Sequence, residues 1–229
     1  SDEYGLGEGP VIFSFMLTAF LGLVAVIGYM SSTEKKRAFV ADNENFMVYF
    51  RRLYRLFMIT FILFMGYMFF LTISPVYLTE VTGSSSSMGL IMLVSGIIHA
   101  VTAPSAGKLV DKYPREMAIR LSSIFVIISM LTYSLTENVI LIVIVFTIPI
   151  YMTFFIGARA IVADTVPYEL RARTMGLLSS FSLLGGGVGS ISVGEILLHY
   201  NEQEAFLLGA FLAFIAFLLS LKDFSHLRN

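Results

Sequence analysis

Apolar residues in this chain gather into long runs, and polar residues are confined mostly to short stretches between them. A helix that crosses the hydrocarbon core needs ~20 mostly apolar residues, because every backbone group must find its partner inside the same segment. Seven runs reach or approach that length, at 11–30, 56–78, 88–106, 117–133, 139–163, 174–198 and 205–221. The pattern predicts an all-α polytopic membrane protein. One link is long: 31–55 carries Lys35, Lys36, Arg37, Asp42 and Glu44, then the amphipathic stretch NFMVYFRRLYRLF. It reads as a connector that ends in an interfacial helix.

Composition agrees with the pattern. Hydrophobic residues make up 57% of the 229 positions and charged residues 14%, against ~25% charged in soluble domains. Mean hydropathy is +0.83. There is no Cys, which excludes disulfide frameworks, thiolate zinc sites and cysteine nucleophiles, and no cofactor is expected. A net charge of −1 gives no case for nucleic acid as a partner. The chain opens at Ser1 with no basic segment before its first apolar run, so we expect it to be a piece of a longer protein.

Where the charges sit is more informative than their sum. With seven crossings, every Lys and Arg falls in or near alternate links, at 31–55, 107–116 and 164–173 and in the tail after 221, with Arg120 and Arg159 the deepest. Asp2, Glu3, Glu8, Glu80, Glu137, Glu202 and Glu204 lie at the other side. Basic loops resist translocation, so the expected topology puts the N-terminus outside and the C-terminal tail, 222–229, in the cytoplasm of a cell membrane.

Two of the basic links have an ordered pattern. GKLVDKYPRE, 107–116, holds Gly107, Asp111, Lys112 and Arg115 in a tight turn, and ADTVPYELRARTMG, 163–176, holds Asp164, Pro167, Glu169, Arg171, Arg173 and Gly176. The first resembles the loop signature of the major facilitator superfamily, with Pro114 in place of its second Gly and Glu116 in place of its last basic residue. The second is similar to the family's other cytoplasmic link. The resemblance implies a six-helix half at 56–221, built of two inverted three-helix repeats, preceded by the last helix of an N-terminal half at 1–30. The rest of that half would be a missing partner.

It also implies a function: secondary active transport of a small solute by alternating access, without enzymatic chemistry, in contact with membrane lipid and with protons as a coupling ion. In the family the first and fourth helices of each half line the central cavity. Carried over, Thr60, Tyr67 and Ser74 form a polar stripe at seven-residue spacing, with Tyr77 beside it, and Tyr151, Thr153 and Arg159 lie on the other helix. Each has a plainer reading as a hydrogen-bonded packing residue. Arg159 is either a substrate ligand or a cytoplasmic latch paired with Asp164 or Asp111, and Asp111 is also expected to accept from the start of the sixth helix.

His99 and Glu195 are the proton-coupling candidates, because an imidazole exchanges protons near neutrality and a buried carboxyl can do so when shielded. Packing or solvation accounts equally for both. Gly176, Gly185, Gly189 and Gly194 are expected to serve close helix contact. The competing reading is a seven-helix receptor without transport activity. A retinal protein is excluded by the lack of a Lys within any crossing, and neither an HExxH nor a GxSxG pattern supports a membrane enzyme.

Overall fold

The computed structural model describes residues 43–149 and 151–222; the run at 11–30, the first part of the connector and the end of the tail lie outside them. Seven helices follow in order: α1 (Asn43–Thr82), α2 (Ser85–Lys112), α3 (Arg115–Leu135), α4 (Val139–Thr147), α5 (Tyr151–Thr165), α6 (Tyr168–Leu197) and α7 (Glu202–Leu221). Together, α4 and α5 make one interrupted span, so among the described residues six helical spans are long and apolar enough to cross a membrane. This matches the sequence pattern from 56 onward.

Local chemistry sets the ends. Gly83 takes a positive φ of 66° between α1 and α2, where a side chain would be strained. The Ser84 hydroxyl then accepts from the Ser87 N–H. Asn138 caps α4 by accepting from Ile140 and Leu141, and Asn201 forms a reciprocal capping box with Glu204 at α7. At the opposite face Pro114 and Pro167 precede α3 and α6, where a missing N–H costs nothing.

One feature differs from the sequence reading. The amphipathic stretch and the first span are one continuous helix of 40 residues, roughly 60 Å long at ~1.5 Å per residue. Pro75 lies inside that helix without ending it. The break falls at Pro149, because the residue before a proline is pushed out of the α region, and Ile148 accordingly sits at φ −76°, ψ 123°.

Helix α1 is central and packs chiefly on α6 and α7, while α3 packs on α7 and α5. Contact between these helices is close because small residues meet. A Cβ on Gly66 would lie 2.9 Å from the Gly209 carbonyl, and one on Gly157 would lie 2.7 Å from the Ala118 Cβ. Helix α2 is held more loosely, with Leu90, Leu93, Ile97 and Val101 all exposed.

Candidate functional site

Loose seating of α2 leaves a cavity of about 190 Å³ between it and α1, α3 and α4. Tyr67, Phe70 and Leu71 of α1, Ser95, Gly96 and His99 of α2, Phe125 and Ser129 of α3, and Phe146 and Ile148 around the α4 break line its wall. The break at Pro149 therefore shapes the site. Pro75, lacking an N–H, also leaves the Leu71 carbonyl without its helical partner at the cavity's edge.

The wall is mainly apolar and carries the rings of Tyr67, Phe70, Phe125 and Phe146. Tyr67 and Phe70 stack at 5.9 Å between centroids, and Phe70 stacks on Phe146 at the same distance. Three polar groups face this surface. The hydroxyl of Ser95 lies 3.3 Å from His99 Nε2, Ser95 Oγ also reaches the Phe146 carbonyl at 3.5 Å, and Ser129 donates to the Phe125 carbonyl. Among the described residues, no charged side chain lines the cavity. Such a wall receives an aromatic, uncharged part of a ligand by stacking and one or two hydrogen bonds.

Of the residues expected in the cavity, Tyr67 lines it, and so does His99, which was expected as a proton-coupling residue. Thr60 and Ser74 are fully buried in helix packing, Thr60 donating to the Leu56 carbonyl at 2.8 Å and Ser74 lying beside the Tyr133 hydroxyl. Tyr77 packs on Tyr133 and Phe206 instead. The side chain of Tyr151 lies outside the described residues. Thr153 is buried and shares a 2.6 Å hydrogen bond with Ser122 of α3. A double-mutant cycle of Ser122→Ala and Thr153→Val is expected to give a coupling of about 0.6–1.7 kcal/mol, the range of interhelical hydrogen bonds in lipid. Additive losses on chemical denaturation would show that the pair does not act as a unit.

Ser95, Ser129, Phe70 and Phe146 were not singled out from the sequence. Only Ser95 had a legible signal, its i, i+4 spacing from His99 on an apolar helix.

At the opposite end from Glu80 and Glu202, the two signature links form a clasp around Arg115. Its guanidinium donates to Asp111 at 3.0 Å, to Asp164 at 3.4 Å and to the Val110 carbonyl at 2.6 Å. One side chain thus joins the end of α2, the start of α3 and the end of α5. The latch expected of Arg159 is not formed: Arg159 is exposed and lies over the Phe155 ring at 5.7 Å. Five residues of helix turn Arg159 well away from Asp164, whereas Arg115 approaches across the bundle. Asp111 likewise turns to Arg115, not to the start of α6.

The remaining loop residues support the same end. Arg171 donates to the Val166 carbonyl at 3.0 Å, Glu169 sits in the first turn of α6 and Arg173 stacks over Phe46 at 3.8 Å. Lys112 lies over the Tyr113 ring at 5.8 Å, and nothing crowds Gly107. Glu195 is 72% exposed and 3.8 Å from His199, so it is not shielded as a buried proton carrier would be. Among the glycines, Gly185 and Gly189 touch the α1 backbone at Phe61 and Met65, whereas Gly176 and Gly194 face open space.

Comparison with known proteins gives the same picture. The family model of the Major Facilitator Superfamily matches residues 7–158 and again 56–224. The two matches overlap, as a fold of related repeats allows. A "Multidrug resistance protein MdtG" of Salmonella choleraesuis is 27% identical over 152 residues, and those of Salmonella arizonae and Salmonella paratyphi B are 28% identical over the same length. Each match covers 64% of this chain and 38% of the relative. With six apolar spans, paired signature loops and a family match along nearly its whole length, the chain belongs to the major facilitator superfamily.

Proposed function

We propose that this chain is part of a secondary transporter that moves a small aromatic or amphipathic solute by alternating access, and that its residues 56–221 form the C-terminal half. The observation that carries this reading is the uncharged aromatic cavity held beside a proline-broken span. Its volume of about 190 Å³ is enough for one ring, since a cavity of ~150 Å³ holds benzene. A larger solute would reach beyond it toward an N-terminal half, of which residues 1–30 would be the last helix. The names of the relatives, multidrug resistance proteins, favour solutes of this class. The basic ends of the helices would face the cytoplasm of the cell membrane.

Alternating access requires the cytoplasmic ends to hold in one state and release in another, and the Arg115 clasp is suited to that task. Its partners Asp111 and Asp164 are 78% and 50% exposed, so each pair contributes only ~0–1 kcal/mol after solvent screening. A clasp this weak can open.

The test is uptake of a fluorescent aromatic solute by proteoliposomes containing the full-length protein, with and without a pH gradient. The native protein is expected to accumulate solute, with Arg115→Gln remaining folded and transporting about tenfold more slowly, the effect of ~1.4 kcal/mol on a barrier. Gradient-driven uptake that is lost in His99→Gln would assign proton coupling to His99. Absence of uptake for every aromatic solute, with the protein folded, would overturn the aromatic-solute reading.

A further inference from the structure

A second pocket lies at the end of the bundle, where the start of α1 meets the end of α7. It has a volume of about 500 Å³ and is lined by Val48, Arg51, Arg52, Tyr54, Arg55 and Lys222. Four of these six side chains are basic, and among the described residues none that lines the pocket is acidic.

Guanidinium groups at this end of the bundle satisfy the last carbonyls of α7. Arg55 donates to the Lys222 carbonyl, and Arg120 of α3 donates to those of Ser220 and Leu221 at 3.2 and 3.4 Å. These carbonyls have no partners within the helix, so Arg55 and Arg120 act there as C-terminal caps. Arg51, Arg52 and Lys222 line the pocket beside Arg55. All three are exposed at the pocket, where they concentrate positive charge over a small area.

We propose that this pocket binds the phosphate of an anionic membrane lipid. Arginine presents planar paired donors that match phosphate oxygens, and Lys222 adds a point charge from a second helix. The lipid, rather than a dissolved phosphate, is favoured by what surrounds the charges. Tyr54 is 57% exposed and Val48 50% exposed at the pocket, and Leu218 and Leu221 of α7 are exposed just inside it. From Leu56 onward α1 is apolar, so the basic turn stands at the edge of the spanning segment. A headgroup at the charges would leave its acyl chains along that apolar surface. The site is distant from the solute cavity in both lining and chemistry, so it stands whether or not the transport reading holds.

The experiment is a thermal-stability titration of the purified full-length protein in uncharged detergent micelles. Phosphatidylglycerol, phosphatidylcholine, glycerol 3-phosphate and inorganic phosphate are the four probes. Phosphatidylglycerol is expected to raise the melting temperature saturably, and the other three to leave it unchanged at the same concentration. The apparent affinity should weaken about fivefold in Arg51→Gln and roughly 25-fold in the Arg51→Gln, Arg52→Gln double variant. It should also weaken with rising salt. Arg51→Lys, which keeps the charge, should lose less than Arg51→Gln, and Lys108→Gln, a basic residue outside the pocket, should lose nothing. The proposal is overturned if phosphatidylcholine or inorganic phosphate gives the full shift, if Lys108→Gln weakens binding as much as Arg51→Gln, or if the folded double variant binds phosphatidylglycerol normally.

Discussion

Gly96→Phe is expected to leave the protein folded and to weaken solute binding by roughly tenfold to a hundredfold. Gly96 lies on the cavity wall, and no heavy atom stands within 4 Å of the place its Cβ would occupy. A benzyl group can therefore enter without moving the backbone, and leaving Gly gains a few tenths of a kcal/mol in helix propensity. Its ring would fill most of a cavity of about 190 Å³, because a cavity of ~150 Å³ is the size that takes up one benzene. A solute denied that space loses the burial of one ring, about 1.5–3 kcal/mol. Gly89→Phe is the control, since Gly89 is on the same helix with equally open surroundings but does not line the cavity. Titration of a fluorescent aromatic solute should separate the two variants. Equal affinity in both would place the solute elsewhere.

The second large effect concerns stability. Gly185→Ala should destabilise the bundle by about 2–3 kcal/mol, whereas Gly187→Ala should be neutral or stabilising by up to ~1 kcal/mol. The two positions share a helix and differ in what they face. A methyl group on Gly185 would run into the Phe61 backbone of α1, while one on Gly187 meets nothing within 4 Å. Helix propensity favours Ala at both sites, so the predicted opposite signs isolate the packing contribution. In lipid, close backbone approach replaces the hydrophobic effect as the source of helix association. Unfolding in a denaturing detergent, followed by circular dichroism, reads the difference. A Gly185→Ala variant as stable as Gly187→Ala would mean that α1 and α6 separate more freely than their contact suggests.

These two glycines also mark what the sequence could and could not say. The spans were legible because each must bury its own backbone, and an apolar run of that length has few other uses. Their number from 56 onward, the charge segregation and the signature links followed from short-range pattern. Which face of each span meets which neighbour did not. Gly176, Gly185, Gly189 and Gly194 look alike along the chain, and only the middle pair touches α1. Thr60 and Ser74 form a polar stripe that seemed suited to a wet cavity, yet both are sealed in packing around α1.

The same limit applies to charge. Arg159 is five residues from Asp164 and Arg115 is 49 away, so proximity along the chain favoured the wrong arginine for the clasp. Contact across a turn between helices has no periodicity to reveal it. The cavity drew on α1, α2, α3 and the α4 break at once, and the loose seating of α2 that opens it is a property of the assembled bundle.

Accessibility of the cavity from the two sides of the membrane tests the central claim most directly. This chain has no native Cys, so S95C introduces its one thiol at the cavity wall, and any Cys elsewhere in the full-length protein is replaced first. An impermeant maleimide applied separately to the inner and outer faces of proteoliposomes should label that thiol from both sides, and an aromatic solute should slow both reactions. Labelling from one side alone, unaffected by solute, would contradict alternating access through this cavity.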